Sequence, residues 1–510
     1  MTLVRRYLPS VGAPAALSIA LVLCAAVLLS ACGDSDNGGV APTPTPTSTA
    51  VPTATATANP FALPSPPPSS VYSGPLFQLS HTYPPTPVLP PDPPPWRQAI
   101  GLGQINTQNA PAYVQALKDY IASDMRTLLF DYSHWDAAAA GWYNQPWLGP
   151  VREPIHGTYV GSTFPAAMFP ISGLTKTMTT HVLVYYDAVA AGSLQRVWGQ
   201  SAQDPIPGLN AQGGQFPEGG LIVKPAFTTA SGTDWPPIDG AFPWLIWAPT
   251  DRSGGSPELQ TVYLFQFDII VKDTASVPGS GWVFATLVYD ASVEGDNWDK
   301  MIPLGAMWGN DPDVVSPENC DYLVPGSCPP LSETWVNQAT PVYARETLGW
   351  GGRLSGPNDG SVDISAVVQT PDGLVPYNGR YAMSSCMSCH GVAEYQLMSF
   401  LLPSPSTCTT DDCTPKFARC VAGSCQEVQP GPDVDLIYYP AGSTEFRRWF
   451  QSRPGSVPQD SGTIPLDYGM NYAFKALPQW LIQTNRDSSP NFVESFNYYR
   501  GRQYEHIPDE

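Results

Sequence analysis

Three short apolar runs in the middle of the chain constrain its fold more than any other feature. They are GGLIVKPAF at 219–227, TVYLFQFDIIVKD at 261–273 and GWVFATLVYD at 281–290. Each is rich in β-branched and aromatic residues and is bounded by turn formers, which is typical of β-strands. Only 13% of the residues are charged, which argues against a helical bundle. We therefore predict a mainly β (α+β) fold built on an antiparallel sheet.

Helical segments are predicted on either side of these strands. Apolar residues recur at helical spacing between residues 109 and 130, with Asn109 as the N-cap and Pro111 in the first turn. The apolar positions are Val114, Leu117, Ile121, Met125 and Leu128. The amphipathic stretch LDYGMNYAFKALPQWL at 466–481 predicts a second helical segment near the C-terminus.

The N-terminal segment at 1–32 resembles the signal of a bacterial lipoprotein. Arg5 and Arg6 precede an apolar stretch at 15–29 that is short for a transmembrane helix, and the following LSAC at 29–32 resembles a lipobox. This resemblance implies cleavage before Cys32 and acylation of its thiol. An ordinary secretory signal with an incidental cysteine is the alternative. Either signal places the mature chain outside the cytoplasm, in the periplasm or on the cell surface.

Composition divides the rest of the chain. Residues 33–75 are dominated by Pro, Thr, Ala and Ser, which cannot bury enough apolar surface to fold, so they form an extended tether. The folded body is expected at 76–395, followed by a C-terminal extension at 396–510 that contains a cysteine-rich insert at 406–427. Fifteen Trp, 24 Tyr and 18 Phe can supply a sizeable core.

The charge of the chain excludes two classes of partner. Its formal net charge is −20, and basic residues occur only singly or in isolated pairs. Nucleic acids and anionic lipid surfaces both require a positive protein surface. We therefore expect no nucleic-acid partner, and contact with a membrane through the lipid anchor only.

The ten cysteines fall into separate groups. Cys24 leaves with the signal, and Cys32 carries the lipid. Six others, in an oxidising compartment, predict up to three disulfides. These six are Cys320, Cys328, Cys408, Cys413, Cys420 and Cys425. The last four lie in a segment too short for a core of its own and are expected to pair with one another, while the first two close their own loop. A zinc cluster is the alternative.

The remaining two cysteines belong to a motif that carries chemistry. SSCMSCHG contains Cys-x-x-Cys-His, with Cys386, Cys389 and His390. On one helical turn, two cysteines three residues apart project to the same side, where both thiols can bond the vinyl groups of a haem, and the histidine can ligate the iron. A thioredoxin-like redox pair would need a βαβ setting, and half of a zinc site would need two further ligands. We predict one covalent haem c.

The sixth iron ligand is left open by the residues alone. Met398 follows His390 closely, on the same local segment, and cannot easily cross to the far face of a haem. Met470 is the other candidate, although a core methionine is the more ordinary interpretation. The other histidines are expected to be structural. They are His81, His134, His156, His181 and His506.

Four runs in order resemble the cytochrome P-460 and cytochrome c-prime-beta family. These are THVLVYYDAVAAGSLQRVWG, FPEGGLIVK, FDIIVKDTASVPGSGWVFATLVYD and CMSCHG, within residues 181–391 and with an extra segment between Asp290 and Cys386. Members are small β-sheet c-type haem proteins. The resemblance implies that His390 is the only axial protein ligand and that the iron has an open face. In the members that oxidise hydroxylamine, a lysine is cross-linked to the haem edge, and Lys224 and Lys272 are the candidates here, although Pro225 departs from the pattern. A solvated surface charge is the alternative for either lysine.

Three functions follow from these expectations. The first is electron transfer or small-ligand binding at a haem c. The second is an oxidoreductase that acts on a small nitrogen compound such as hydroxylamine. The third is a non-catalytic surface protein with a structural or sensory haem. The partners would be a redox protein, a small gas or nitrogen-oxide ligand and a second copy in a homodimer.

Overall fold

A computed structural model gives the fold of most of the chain between residues 61 and 472. The structure describes residues 61, 63–146, 152–164, 166, 169–198, 213–249, 256–312, 326, 330–346, 361–382, 385–395, 406–407, 416–429 and 434–472. The predicted signal, most of the tether and several predicted site residues lie outside these ranges. They include Cys32, Cys320, Cys328, Met398, Cys408, Cys413 and His506.

Strands outnumber helices along the described chain. The strands are β1 (Trp142–Asn144), β2 (Tyr159–Phe164), β3 (Met178–Val182), β4 (Tyr185–Asp187), β5 (Leu221–Thr228), β6 (Pro243–Ala248), β7 (Glu258–Lys272), β8 (Trp282–Tyr289), β9 (Met301–Met307), β10 (Thr334–Val336), β11 (Ser361–Thr370), β12 (Gly373–Ala382), β13 (Glu394–Tyr395), β14 (Phe417–Val421), β15 (Ser424–Val428), β16 (Asp435–Tyr438) and β17 (Ile464–Pro465). The helices are α1 (Pro95–Ala99), α2 (Ala110–Phe130), α3 (Ala188–Trp198), α4 (Val342–Arg345), α5 (Cys386–Gly391) and α6 (Thr444–Trp449). The predicted mainly β fold is confirmed.

The main sheet contains ten of the described strands, and its pairs are antiparallel. The order is β1-β4-β5-β7-β8-β9-β10, with β3 paired to both β2 and β5 and with β6 paired to β7. The three predicted strands become β5, β7 and β8 at its centre. Strand β7 is long enough to pair with β6 through its first half and with β5 through its second.

Helix α2 confirms the helix predicted at 109–130 and its N-cap residue. Asn109 is the N-cap residue, but its side chain caps no helical N–H. It instead accepts a bond from the Asn106 N–H and donates one to the Gln104 carbonyl oxygen. These bonds fix the loop before the helix rather than its first turn.

The two faces of the main sheet are covered by different parts of the chain. Phe267 of β7 contacts the Trp298 ring at 5.2 Å, and the Lys118 ammonium of α2 lies over that ring. Side chains alternate along a strand, so Phe284 of β8 lies on the opposite face. There its ring lies 5.0 Å from the ring of His390. The sheet therefore separates α2 from the Cys-x-x-Cys-His motif.

A second sheet joins chain segments from both sides of the motif. Its order is β12-β11-β16-β14-β15, and β11 pairs in parallel with β16. The strands β14 and β15 come from the predicted cysteine-rich insert, and the Cys420–Cys425 disulfide links them. This bond is one of the pairings expected within the insert. The sheet spans the expected boundary at residue 395, because β11 precedes that residue and β16 follows it.

Described residues on both sides of the predicted tether boundary at 75 pack against later parts of the chain. Phe61 packs against the ring of His81 at 4.7 Å, and Phe77 is buried against Gly157.

Among the described residues, no helix has the length and apolar character needed to cross a membrane.

Candidate cofactor site

The Cys-x-x-Cys-His motif forms the short helix α5, and reciprocal serine bonds fix its start. The Ser388 N–H donates to Ser385 Oγ at 2.9 Å, while the Ser385 N–H donates to Ser388 Oγ at 2.7 Å. This capping box satisfies N–H groups that a helix start leaves unpaired. The Ser385 hydroxyl also donates to Asn310 Oδ1 at 2.6 Å, which ties the helix to the chain after β9.

The helix brings the three predicted residues onto one short segment. Cys386 and Cys389 are thiols three positions apart, so both lie on one side of the turn. Cys386 is buried and Cys389 is half-buried. His390 follows on the same turn and is also half-buried.

One nitrogen of His390 is held by the backbone. Its Nδ1 lies 2.9 Å from the carbonyl oxygen of Tyr468, which can only accept, so Nδ1 carries the proton and the lone pair is on Nε2. Burial lowers the pKa of His390 to about 4, so the imidazole is neutral at pH 7. A neutral ring with one nitrogen anchored to a carbonyl is the usual state of a metal-ligating histidine.

A left-handed turn presents the Tyr468 carbonyl to His390. Asp467 and Tyr468 have φ angles of 49° and 62°, a region that non-glycine residues rarely adopt. The Asp467 carboxylate holds this turn. It accepts from Lys272 Nζ at 2.6 Å, from Trp282 Nε1 at 2.9 Å and from the Phe216 N–H at 2.8 Å. The position of the histidine therefore depends on a buried ion pair on the sheet.

A polar cluster lies on the same sheet face as Phe284. Asp268 of β7 is 6% exposed and accepts from Lys224 Nζ at 3.2 Å, from Thr286 Oγ1 at 2.7 Å and from Gln266 Nε2 at 2.9 Å. Burial alone would lower the pKa of Lys224, but the Asp268 carboxylate, Cys386 and Tyr159 together raise it. The Lys224 ammonium in turn contributes to the low pKa of His390.

The structure distinguishes the two candidate lysines. Lys224 interacts electrostatically with both Cys386 and His390. Lys272 instead forms an ion pair with Asp467, and its Nζ lies 5.2 Å from the centre of the Trp282 ring. Lys224 is therefore the candidate whose charge acts on the motif, and Lys272 supports the turn that holds the histidine.

Met470 is half-buried and packs against the hydrophobic core. Its N–H donates to the Tyr468 carbonyl oxygen at 3.1 Å, which is the same oxygen that binds His390 Nδ1. The backbone of Met470 therefore lies on the Nδ1 side of the imidazole, away from Nε2.

The described histidines outside the motif are packed or paired. His156 stacks on Trp244 at 4.0 Å, and its Nδ1 bonds the Leu245 carbonyl oxygen. Exposed His134 bonds Asp131, and His181 is buried in β3. Within the described residues, no three His, Cys, Asp or Glu side chains are grouped so as to hold a metal ion.

Several site residues were missed in the sequence. Asp467 and Tyr468 lie far beyond the motif along the chain, and Asn310 lies far before it, so spacing gave no signal. Asp268 did give a signal, since it is a carboxylate placed between the apolar residues Phe267 and Ile269.

Comparison with known proteins returned no family model, no curated protein and no solved structure that matches this chain. The resemblance to the cytochrome P-460 family therefore remains a hypothesis that rests on the residues quoted above.

Proposed function

We propose that this protein is an exported c-type cytochrome. Cys386 and Cys389 would bond one haem, and His390 would ligate its iron. One observation carries the proposal: the motif forms a capped helical turn whose histidine is neutral and held at Nδ1 by the Tyr468 carbonyl. Two thiols on one side of a turn and an imidazole with a lone pair on Nε2 are the donor set that a haem c requires.

A bound haem would supply one-electron chemistry and a site for small ligands, while the chain controls access and tuning. Phe284 packs its ring against His390, and the hydrogen bond from Nδ1 strengthens the imidazole as a donor. Electron exchange with a redox partner protein is the role that these features support.

An iron without a sixth protein ligand is the coordination that we propose. The iron would bind at Nε2, whereas the backbone N–H of Met470 bonds the Tyr468 carbonyl oxygen that holds Nδ1. The two nitrogens lie on different edges of the imidazole ring, so this placement argues against Met470 as the sixth ligand.

Met470→Leu tests the coordination. The substitution roughly conserves volume, so we expect it to cost less than about 1.5 kcal/mol of unfolding free energy. The visible spectrum and the carbon monoxide affinity of the reduced protein should equal those of the wild type, which itself should bind carbon monoxide readily. A wild-type spectrum typical of six-coordinate iron that becomes five-coordinate in Met470→Leu would contradict the proposal.

An oxidoreductase that acts on a small nitrogen compound is the second candidate. The observation that favours it is Asp268, a buried carboxylate on the sheet face beside His390 that accepts from Lys224, Gln266 and Thr286. Carboxylates are among the side chains that act as general bases beside a reacting ligand.

Asp268→Asn separates this candidate from simple electron transfer. If Asp268 moves a proton during turnover, the substitution should lower hydroxylamine oxidation by about 10²- to 10⁴-fold while haem content is unchanged. Asp290→Asn, directly after β8, is the matched control. Equal rates in wild type and Asp268→Asn would reject the acid–base role.

A lipid anchor at Cys32 is the proposed attachment to the membrane. Cys32→Ser removes the thiol that would be acylated, so we expect the protein to move from the membrane fraction to the soluble fraction. Cell fractionation measures this, with Cys24→Ser as the control that should stay with the membrane. Continued sedimentation of Cys32→Ser with membranes would reject the lipobox.

A further inference from the structure

A second polar group lies beside the site, at the edge of the same sheet face. We call it the Arg152 cluster, and it consists of Arg152, Gln145, Tyr159 and Tyr186. Gln145 connects its members. Its carbonyl oxygen accepts from Arg152 Nη2 at 2.6 Å, its Nε2 donates to the Tyr159 hydroxyl at 3.3 Å, and its Oε1 accepts from the Tyr186 hydroxyl at 3.2 Å.

Two connections place this cluster next to the cofactor site. Tyr159 pairs with Val182, which pairs with Ala226, so Tyr159 shares a sheet face with Lys224, two residues before Ala226. On the other side, Asn471 Nδ2 donates to Gln145 Oε1 at 3.4 Å. Asn471 belongs to the segment whose Tyr468 carbonyl holds His390.

The Arg152 guanidinium is a buried charge without a counter-charge among the described residues. The residue is 3% exposed, and no described residue bonds its Nε. Its electrostatic neighbours in this part of the structure are tyrosines rather than carboxylates. Burial lowers its pKa to about 10, so it remains a cation at neutral pH. The adjacent Glu153 is turned away and accepts from the N–H groups of Ile155 and His156.

An isolated buried cation strongly destabilises a protein unless an anion pairs with it. Guanidinium groups bind carboxylates through paired N–H donors, and the Nε of Arg152 is such a donor, with no partner among the described residues. A carboxylate-bearing ligand beside the motif would satisfy both needs. A haem carries two propionate carboxylates.

We infer that Arg152 binds a propionate carboxylate of the haem, through a hydrogen bond from its Nε and the positive charge of its guanidinium. This inference rests on the proposed function. It assigns a binding role to a residue outside both the Cys-x-x-Cys-His motif and the segment that resembles cytochrome P-460.

Arg152→Met tests the assignment, because it removes the charge and keeps a long apolar side chain. The substitution is compared in two proteins: the full haem-loaded chain and a haem-free Cys386→Ala/Cys389→Ala/His390→Ala chain, which lacks both thiols and the iron ligand. Without haem, removal of an unpaired buried charge should raise the urea midpoint of unfolding. With haem, the same substitution should lower the midpoint, because the propionate loses its partner. The expected result is therefore that the change in the urea midpoint has opposite signs in the two proteins.

The reduction potential gives an independent readout. Loss of a buried positive charge beside the haem should lower the potential, and Arg152→Lys should restore most of it. Lys118→Met is the matched control, since Lys118 is a buried cation on α2, which covers the opposite sheet face. If Arg152→Met fails to fold, Arg152→Gln is used for both measurements.

Two results would overturn the inference. One is a shift of the same sign in both proteins with an unchanged potential, which would make Arg152 purely structural. The other is that added acetate or nitrite stabilises the haem-loaded wild type but not Arg152→Met. This result would show that a free anion, rather than a propionate, binds Arg152. A wild type that carries no haem would instead refute the proposed function itself.

Discussion

The Cys386→Ala/Cys389→Ala protein is expected to lose all of its haem to acid–acetone, whereas the wild type keeps it. Thioether bonds survive denaturation, and coordination by His390 alone does not. The change therefore converts complete retention into complete release. Absorbance of the protein pellet and of the extract measures the two fractions directly.

Cys420→Ala/Cys425→Ala is the matched control. It also removes two cysteines, but these form the disulfide of the second sheet. Haem retention should equal that of the wild type. If the control loses haem and the motif variant keeps it, the covalent attachment has been assigned to the wrong cysteines.

Lys272→Met is expected to destabilise the protein by about 3–5 kcal/mol, the usual cost of removing one partner of a buried ion pair. The Lys272 and Asp467 side chains are 8% and 0% exposed, and their closest N–O distance is 2.6 Å. The loss would leave the Asp467 carboxylate buried with fewer donors. Because Asp467 fixes the turn at Tyr468, the hydrogen bond to His390 should loosen as well. Urea unfolding and the haem spectrum report these two effects.

Lys416→Met supplies the comparison for this ion pair. Lys416 pairs with Glu427 at 3.3 Å, but the Glu427 side chain is 54% exposed. Exposed pairs contribute about 0–1 kcal/mol, so this variant should stay close to the wild type. Similar losses in the two lysine variants would show that the buried pair has no special role.

Local patterns predicted much of the fold. The runs that became β5, β7 and β8 have the β-branched and aromatic composition of strands, and α2 has helical periodicity over its whole length. The second sheet could not be foreseen, because β11 and β16 pair across a long stretch of chain that contains the motif. Pairing over such separations depends on how distant segments pack, and spacing does not record it.

Some residues of the candidate site could likewise be predicted from the local sequence, and others could not. Cys386, Cys389 and His390 are close together in the sequence, so one helical turn suffices to bring them together. Tyr468 is brought to His390 by a turn that depends on Asp467, and the sequence shows neither contact. The different partners of Lys224 and Lys272 likewise appear only in the structure, since both residues lie in neighbouring strands.

The most direct test of the central claim is the mass of one peptide from the wild-type protein. Trypsin cleavage after Arg380 and Lys416 yields the peptide 381–416, which contains the whole motif. We expect this peptide to carry the added mass of one haem and the absorption spectrum of a bis-thioether haem. An unmodified peptide, from protein exported by a host that matures c-type cytochromes, would contradict the account.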